Sequence, residues 1–297
     1  MSHKMLEIHN LCKSYKSKQV LYGLNMALEE NRITAFLGVN GAGKSTTIKC
    51  IAGINKIDSG SVETHNHQIG VLFDDNGLYL DLTAIENIMI FLGFVGRSKE
   101  TDEAENILNT VGLLNEKNTV VKKFSKGMKR RLAIARMIIF NPNILILDEP
   151  FDGIDAFHHR FLIDFLKEWV KKPKKAILFS SHIMSEIEDF GDVIYILKDG
   201  KAHLGCSIDK LLLDNIIGVK VKLRNYEDEG KLKYILTSFP TVSEILEMQD
   251  LTYFISCNTY INSELCDCMI QNNISFDELT LVTDSMESIF FRYTQSK

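Results

Sequence analysis

The sequence predicts an α/β fold in which parallel strands alternate with helices. Residues 33–37, 144–147 and 176–179 are short, continuous apolar runs. Such runs are typical of parallel strands that are buried on both faces of a sheet. Each run is followed by a glycine or polar segment and then by a stretch whose apolar side chains have helical spacing. This alternation of strand and helix predicts a largely parallel sheet with helices packed on it.

A glycine-rich segment joins the first of these strands to a helix. It begins at Gly38 and continues as Val-Asn-Gly-Ala-Gly-Lys-Ser-Thr, which is the spacing of a phosphate-binding loop. Gly41 and Gly43 allow a tight turn whose inward N–H groups, with the helix N-terminus, form an anion site. Lys44 can reach the β- and γ-phosphates of a nucleotide, and Ser45 can ligate Mg²⁺. A plain glycine turn is the alternative, but the strand, loop and helix context favours phosphate binding. The residues expected to bind ATP are Gly38, Asn40, Gly41, Ala42, Gly43, Lys44, Ser45 and Thr46.

A second nucleotide-binding feature follows the strand predicted at 144–147. Asp148 and Glu149 end this strand, and adjacent side chains at a strand end point in opposite directions. One carboxylate can therefore face Mg²⁺, directly or through water, while the other faces a water molecule. We assign the metal to Asp148 and the role of general base near the γ-phosphate to Glu149. Two acidic residues at a strand end would carry no such meaning alone, but here they follow a phosphate-binding loop.

The core domain is predicted to span residues 1–210 and to carry a mostly helical insert at about 82–140. Ahead of the phosphate-binding loop, the segments 5–11 and 20–28 have the pattern of strands. After Asp148, a helix is predicted at 157–169. The side chains expected on its inner face are Phe161, Leu162, Phe165 and Leu166.

Residues 211–297 predict a small C-terminal α+β domain of the ferredoxin-like type, without recognisable chemistry. Its expected strands lie near 217–223, 242–247, 251–256 and 274–282, and its expected helices near 227–237, 262–271 and 284–293. Because the domain offers no motif of its own, the chemistry is expected to reside in the core domain.

Composition and charge exclude several classes of protein. The net charge of −5 gives no sign of general affinity for nucleic acid. No run approaches the ~18 apolar residues of a membrane span, and the N-terminal Met-Ser-His-Lys lacks an apolar signal segment. Of six scattered cysteines, only Cys266 and Cys268 form a close pair. With no second cluster, reduced thiols at ordinary helix positions are favoured over a zinc site or a disulfide framework.

A third motif lies between the phosphate-binding loop and Asp148. Ser125, Lys126, Gly127 and Met128 precede a predicted helix, and Ser125 suits a helix N-cap. In this position the segment resembles the signature motif of the ATP-binding-cassette (ABC) superfamily, commonly Leu-Ser-Gly-Gly-Gln. The resemblance implies that Ser125, Gly127 and their neighbours contact the γ-phosphate of an ATP held by another subunit. Lys126 and Met128 depart from the commonest pattern, and Lys126 adds bulk and charge while it keeps its backbone N–H.

The resemblance covers about residues 5–205 and implies roles for three more side chains. Tyr15 resembles the aromatic residue that stacks on adenine, with an ordinary surface tyrosine as the alternative. Asp155 lies in a segment similar to the loop that faces the partner subunit. His182 resembles the histidine that binds the γ-phosphate and orients the attacking water, whereas a lone histidine is more often structural.

One position departs more clearly from the family. Relatives usually place glutamine where the core meets the helical insert, and the alignment through 69–73 puts Asp74 there. Some peptide-antibiotic exporters and immunity transporters carry glutamate instead. Aspartate keeps an oxygen for Mg²⁺ or water but loses the amide donor and some reach, and Asp75 could share the role. The implied Mg²⁺ ligands are therefore Ser45, Asp74 and Asp148, and the coupling of ATP to transport is expected to differ from that in glutamine-bearing relatives.

Together these motifs identify the chain as a member of the ABC superfamily, with a P-loop NTPase core of the ABC type, a helical subdomain and a C-terminal α+β domain. The resemblance implies an ATPase that binds ATP and Mg²⁺ and drives transport through a separate multi-span permease. Two copies, or one copy and a homologue, would hold two ATPs head to tail. The expected location is cytoplasmic, peripheral on the inner face of the cell membrane. The acidic loop at 74–77 and the segment 285–290 favour export. Antimicrobial or amphipathic peptides are the substrate suggested by analogy.

Two other classes compete with the transporter interpretation. A non-transport ABC ATPase would act on DNA or ribosomes, but the insert has no heptads, the chain has one cassette and its charge is acidic. A module that senses ATP without turnover is the other class. Glu149 and His182 argue against it, although Asp74 and Lys126 leave room for it.

Overall fold

The chain folds into two compact units. A computed structural model describes residues 3–16, 18–73, 77–97 and 101–295. The first unit is Met1–Cys206 and the second is Ser207–Lys297. The elements of the first unit are β1 (Lys4–Tyr15), β2 (Lys18–Glu29), β3 (Ile33–Gly38), α1 (Lys44–Ile51), β4 (Ser59–Glu63), β5 (Ile69–Leu72), α2 (Ala84–Phe94), α3 (Thr101–Thr110), α4 (Lys126–Ile139), β6 (Ile144–Asp148), α5 (Ala156–Val170), β7 (Ala176–Ser181), α6 (Met184–Phe190), β8 (Val193–Lys198) and β9 (Lys201–Ser207).

A six-stranded sheet in the order β5-β6-β7-β3-β8-β9 forms the centre of this unit. β3 pairs in parallel with β7 and β8, and β6 pairs in parallel with β5 and β7. Every residue of β3 and β7 is buried, as are the apolar residues of β6. The predicted α/β class is confirmed, and the parallel pairing brings the carboxyl ends of β3, β6 and β7 to one edge of the sheet.

A second, antiparallel sheet of three strands has the order β2-β1-β4. β1 and β2 contain the segments predicted as strands, and both are longer than the sequence pattern indicates. Their backbone pairing continues to Tyr15, which lies opposite Lys18. Leu6, Leu21 and Leu24 of this sheet are fully buried and pack with Phe36 and Ile48 in one hydrophobic core.

The helical insert is formed by α2, α3 and α4, as predicted. α2 begins at Thr83, whose hydroxyl accepts a hydrogen bond from the N–H of Glu86, while the Glu86 carboxylate accepts the N–H of Thr83. This reciprocal cap fixes the start of the helix. The insert has its own hydrophobic core, in which Ile88, Leu108 and Leu132 are fully buried.

The inner face of α5 differs from the prediction at Phe161 and, in part, at Phe165, which is half-buried. The side chains of α5 that are buried are Leu162, Ile163, Leu166, Trp169 and Val170. Phe161, which the sequence analysis placed on the inner face, is 38% exposed. The buried positions define a stripe centred on Leu162 and Leu166 that extends towards Ile163, so Phe161 lies just outside it.

The second unit has a βαββαβ order flanked by one further helix at each end. Its elements are α7 (Ile208–Leu213), β10 (Ile216–Leu223), α8 (Glu229–Leu236), β11 (Val242–Glu247), β12 (Thr252–Cys257), α9 (Asn262–Gln271), β13 (Phe276–Thr283) and α10 (Met286–Gln295). The four strands form an antiparallel sheet in the order β11-β12-β10-β13. This is the ferredoxin-like topology that the pattern of the tail predicts. Cys266 and Cys268 lie on α9 as free thiols.

None of the helices in the described part of the chain is both long enough and apolar enough to cross a membrane.

Candidate functional site

The glycine-rich segment forms the loop between β3 and α1, and two of its glycines cannot be replaced without displacing neighbours. A Cβ on Gly38 would lie 2.7 Å from the carbonyl oxygen of Leu197. Gly43 has a φ of +112°, and a Cβ there would lie 2.8 Å from Leu21. Gly38 excludes a side chain through its close contact with a backbone oxygen, and Gly43 favours glycine chiefly through its backbone conformation. The loop is thereby held tightly against β8 and β2.

Lys44, the first residue of α1, is 8% exposed. Its ammonium group donates a hydrogen bond to the carbonyl oxygen of Gly38 at 2.5 Å. Burial lowers the pKa of Lys44, and the nearby carboxylates of Glu149 and Asp148 oppose this effect. A cation that has lost most of its water is suited to an anionic ligand, which would replace the lost hydration.

Asp148 links the phosphate-binding loop to the neighbouring strand. Its Oδ2 accepts a hydrogen bond from the Ser45 hydroxyl at 3.2 Å, and its Oδ1 accepts one from the Ser180 hydroxyl at 2.6 Å. Asp148 and Ser180 are paired residues of β6 and β7. Oxygen atoms of a hydroxyl and a carboxylate are thus held together at the carboxyl edge of the sheet, which is the donor type that Mg²⁺ prefers.

Glu149 adopts a backbone conformation that is rare for a residue with a side chain, with a φ of +48°. Its N–H donates to the Ser180 hydroxyl at 3.0 Å, and its Oε2 lies 2.9 Å from Nδ1 of His182. Because an ionised carboxylate only accepts hydrogen bonds, this contact requires a proton on Nδ1. Non-glycine residues in this region cost on the order of 1–3 kcal/mol and are concentrated at functional sites.

The two carboxylates and the phosphate-binding loop open into one cleft of about 420 Å³. Tyr15 lines the cleft together with Val39, Thr46 and other loop residues. The Tyr15 ring is 43% exposed, and its hydroxyl accepts a hydrogen bond from Asn55 at 2.6 Å. The structure therefore brings together most of the residues predicted to bind ATP. The lining residues are Tyr15, Val20, Val39, Asn40, Gly41, Gly43, Lys44, Ser45, Thr46, Asp148 and Glu149.

The signature-like segment does not line this cleft in the part of the chain that the structure describes. Ser125 is the N-cap of α4 and accepts a hydrogen bond from the N–H of Met128 at 3.1 Å. Lys126 forms an ion pair with Asp152 at 2.5 Å. Gly127 lies so close to the loop before α5 that a Cβ would be 2.5 Å from the carbonyl oxygen of Gly153.

Asp155 is the N-cap of α5. It accepts a hydrogen bond from the N–H of His158 at 3.1 Å, and its Oδ2 lies 2.7 Å from the imidazole of the same residue. These contacts hold the pKa of Asp155 below its usual value. Asp74, and Asp75 beside it, lie outside the described residues.

Comparison with known proteins shows the family to which this chain belongs. The profile described as ABC transporter matches residues 21–152. The bacitracin transport ATP-binding protein BcrA of Bacillus licheniformis is 30% identical over 97% of this chain and 96% of its own length. This chain belongs to the ABC transporter family. The lantibiotic transport ATP-binding protein SrtF of Streptococcus pyogenes is a further relative of this ABC protein, 37% identical over 67% of the chain and 90% of SrtF.

Solved structures agree with this assignment. The ATP-binding subunit of an ABC transporter superposes with a TM-score of 0.63 at 28% identity, covering 70% of this chain and 91% of the other. A cassette in a dimeric post-hydrolysis state with ADP and phosphate has the same fold, with a TM-score of 0.61 at 24% identity over 69% and 99% of the two chains. The protein is an ATP-binding subunit of an ABC transporter and an ATPase of that family.

Sequence analysis of this ABC subunit missed Ser180. Its hydroxyl bonds to both the Asp148 carboxylate and the Glu149 N–H. A usable signal was present, because Ser180 is the penultimate residue of the buried strand β7 and Asp148 is the last residue of the buried strand β6. The register of β6 against β7, which only the folded structure provides, decides that the two side chains meet.

Proposed function

We propose that this ABC subunit hydrolyses ATP in the 420 Å³ cleft and that the cycle drives peptide export through a separate permease. One observation supports this proposal most strongly. The buried Lys44, the Ser45–Asp148 pair and the Glu149–His182 pair all lie at one edge of the sheet. In this proposal Lys44 and the loop N–H groups hold the β- and γ-phosphates. Tyr15, at the rim, provides a ring for the adenine to stack on.

A magnesium ion fits the oxygen donors beside the phosphate-binding loop. Ser45 Oγ and Asp148 Oδ2 are 3.2 Å apart and both are hard oxygen ligands. Mg²⁺ usually takes only one or two protein ligands and completes its shell with water and phosphate oxygens. When bound, it would neutralise charge on the phosphates, and Asp74 is the further ligand that the family resemblance suggests.

Glu149 and His182 are proposed to act on the attacking water. The Glu149 carboxylate would accept a proton as the water attacks the γ-phosphate. The contact at 2.9 Å from Nδ1 of His182 fixes the direction of the carboxylate. The imidazole is 63% exposed and so remains accessible to the γ-phosphate. Ser180 and the strained backbone of Glu149 hold the carboxylate in place.

A second subunit is proposed to complete each site. Ser125, Lys126, Gly127 and Met128 lie away from the cleft of their own chain, so they are available to an ATP held by a second copy or a homologue. Ser125 and the first N–H groups of α4 form a helix N-terminus, which suits a γ-phosphate. Asp155, at the start of α5, is proposed to face the partner at the same interface.

The permease is proposed to dock on an aromatic groove of the first unit. This groove of about 580 Å³ lies between β5 and the helices α2 and α4 and is lined by Phe91, Met137 and Phe140 among others. Phe94 and Tyr79, whose rings contact Phe91, are 65% and 46% exposed. A concave surface with exposed aromatic side chains suits a cytoplasmic amphipathic helix of a membrane protein. Such docking would place the subunit peripherally on the inner face of the membrane.

The names of BcrA and SrtF support the choice of substrate. They refer to transport of bacitracin and of a lantibiotic. An amphipathic antimicrobial peptide is accordingly the proposed cargo of the permease, and export is the proposed direction. The second unit, Ser207–Lys297, is proposed to act in regulation or partner docking, because it offers no residue for the chemistry.

The test is Glu149→Gln. Glutamine keeps the size and can hydrogen-bond water, but it cannot accept a proton. ATP hydrolysis is expected to fall by ~10²–10⁴-fold while ATP binding is retained. The persisting ATP should then hold two subunits together, so that size-exclusion chromatography detects a dimer with ATP and not with ADP. Glu168→Gln is the matched control, since Glu168 is an exposed carboxylate on α5 that pairs with Lys171.

Three outcomes would contradict parts of the proposal. Hydrolysis by Glu149→Gln at the parent rate would exclude Glu149 as the base. An inactive variant that stays monomeric in saturating ATP would replace the homodimer with an obligatory homologous partner. A separate experiment tests transport by measuring the ATP hydrolysis rate of the parent protein with reconstituted permease and added amphipathic peptide. A hydrolysis rate that changes with neither the permease nor the peptide would leave the ATPase assignment intact and contradict export of peptides.

A further inference from the structure

Glu186, on α6, is a carboxylate that the proposed mechanism does not use. It is only 8% exposed, although it is an acidic residue. Its Oε2 accepts a hydrogen bond from the Ser181 hydroxyl at 2.5 Å. Ser181 is itself fully buried and immediately precedes His182. Buried carboxylates are costly and are rare without a structural or functional reason.

The contacts of Glu186 extend to the backbone on the other side of His182. The Ser181 hydroxyl, which donates to Glu186, accepts a hydrogen bond from the N–H of Ile183 at 3.0 Å. The carboxylate and the hydroxyl thus close a small loop around His182. Among the described residues, the hydrogen bond of the imidazole goes to Glu149, so the direction of the ring depends on how this loop is held.

Glu186 is also linked, through His159 of α5, to the segment that carries Glu149. Its Oε1 lies 3.8 Å from Nε2 of His159. The His159 ring packs on Phe151 with 4.7 Å between ring centroids, and Phe151 follows Glu149 by two residues. One buried carboxylate therefore connects the loop after β7 to the loop after β6. Burial raises the pKa of Glu186, and the hydrogen bond from Ser181 opposes this effect.

We propose that Glu186 is a positioning residue that holds His182 against Glu149 through the Ser181 hydroxyl. This inference rests on the proposed roles of Glu149 and His182. Glu186 does not touch the cleft, so it acts on hydrolysis only through these loops. Its part in the reaction is an acceptor of one hydrogen bond, for which the negative charge is not required.

The first test compares Glu186→Ala with Glu186→Gln in Mg²⁺-ATP hydrolysis by the full chain. Alanine removes the acceptor, and kcat should fall roughly 10- to 100-fold, because misplacing a catalytic group by about 1 Å can cost about 100-fold. The Kd for ATP should stay within about twofold, since Lys44 and the phosphate-binding loop are unaffected. Glutamine keeps the acceptor and should restore kcat to within about threefold of the parent. A Glu186→Gln chain that binds ATP but is as slow as the alanine variant would overturn the proposal.

The second test is a double-mutant cycle with His182→Ala. If Glu186 acts through His182, the Glu186→Ala substitution should lower kcat by less than about twofold in the His182→Ala background. An equal loss in both backgrounds overturns the positioning role and leaves the roles of Glu149 and His182 intact. Full activity of His182→Ala alone contradicts the proposed function itself, and the inference falls with it.

A third variant is available if the Glu186→Ala protein does not fold. Should Glu186→Ala not fold, Ser181→Ala removes the linking hydroxyl with a much smaller change in volume. It is expected to lower kcat with little effect on ATP binding and to be non-additive with His182→Ala. A Ser181→Ala chain with the parent kcat would overturn the proposal.

Discussion

The surroundings of Lys44 are those of a residue that binds an anionic ligand. Its side chain is nearly removed from water, and its only direct hydrogen bond among the described contacts goes to the Gly38 carbonyl oxygen. Burial lowers its pKa, so the charged form is less stable here than in an unfolded chain. The folded protein without nucleotide therefore loses stability by holding this cation, and the phosphates of ATP would compensate the cost.

We expect Lys44→Ala to weaken ATP binding by at least about tenfold, because charge-assisted hydrogen bonds contribute on the order of 1.5–3 kcal/mol. Titration with ATP measures the affinity. The thermal midpoint of the nucleotide-free protein should not fall, because the substitution also removes a buried charge. Lys49→Ala, at an exposed position of the same helix, is the control and should bind like the parent. Unchanged affinity in Lys44→Ala would contradict the assignment of the phosphate-binding loop.

At the scale of elements, the start of α4 packs tightly on the loop before α5. Gly127 approaches the Gly153 carbonyl, and the stem of Lys126 covers Gly153, whose φ of +77° also favours glycine. The loop carries Asp152, which pairs with Lys126, and it continues to Asp155 at the start of α5. The signature-like segment and the loop proposed to face the partner subunit should therefore move as one piece.

Gly127→Ala tests this packing, because the new methyl group would lie 2.5 Å from a carbonyl oxygen that cannot rotate away. We expect a loss of about 1–3 kcal/mol in the free energy of unfolding and a loss of ATP-dependent dimer formation. Chemical denaturation and size-exclusion chromatography measure the two effects. Gly230→Ala on α8 is the matched control, since a Cβ there would meet nothing within 4 Å and the variant should be as stable as the parent. A Gly127→Ala protein as stable as the parent would mean that α4 and the loop are not tightly packed.

At the scale of the whole molecule, the catalytic edge and the aromatic groove are different surfaces of the first unit. The cleft is lined by the phosphate-binding loop and the end of β6, and the groove by β5, α2 and α4. Ser125 caps the start of α4, and Met137, near the other end of the helix, and Phe140, its C-cap, line the groove. One helix therefore lies between the groove proposed for the permease and the segment proposed to contact ATP.

Phe94→Glu is expected to impair docking at the groove without affecting ATP hydrolysis in the cleft. Phe94 is 65% exposed and its ring contacts Phe91 in the groove, so a charge there should prevent docking of an apolar helix face. ATP hydrolysis by the isolated subunit should stay within about twofold of the parent, while stimulation by reconstituted permease should be lost. Phe291→Glu, a 58% exposed phenylalanine of the second unit, is the control. Normal stimulation of Phe94→Glu would contradict docking at the groove.

The sequence by itself determined the features that depend on neighbouring residues. Continuous apolar runs predicted the buried strands β3, β6 and β7, and the strand–loop–helix order located Lys44 at a helix start. The βαββαβ topology of the second unit followed from periodicity and length. Each of these signals is local, because strand and helix periods are properties of short segments.

Only the tertiary structure decided which distant residues meet. Ser180 bonds to Asp148 and Glu149 because β6 and β7 are adjacent and in register. Phe161 is exposed because the stripe of α5 that packs on the core is centred on Leu162 and Leu166. Side chains far apart in sequence are brought within hydrogen-bond distance by strand pairing and helix packing, and the free energy of those contacts depends on the whole fold rather than on any segment.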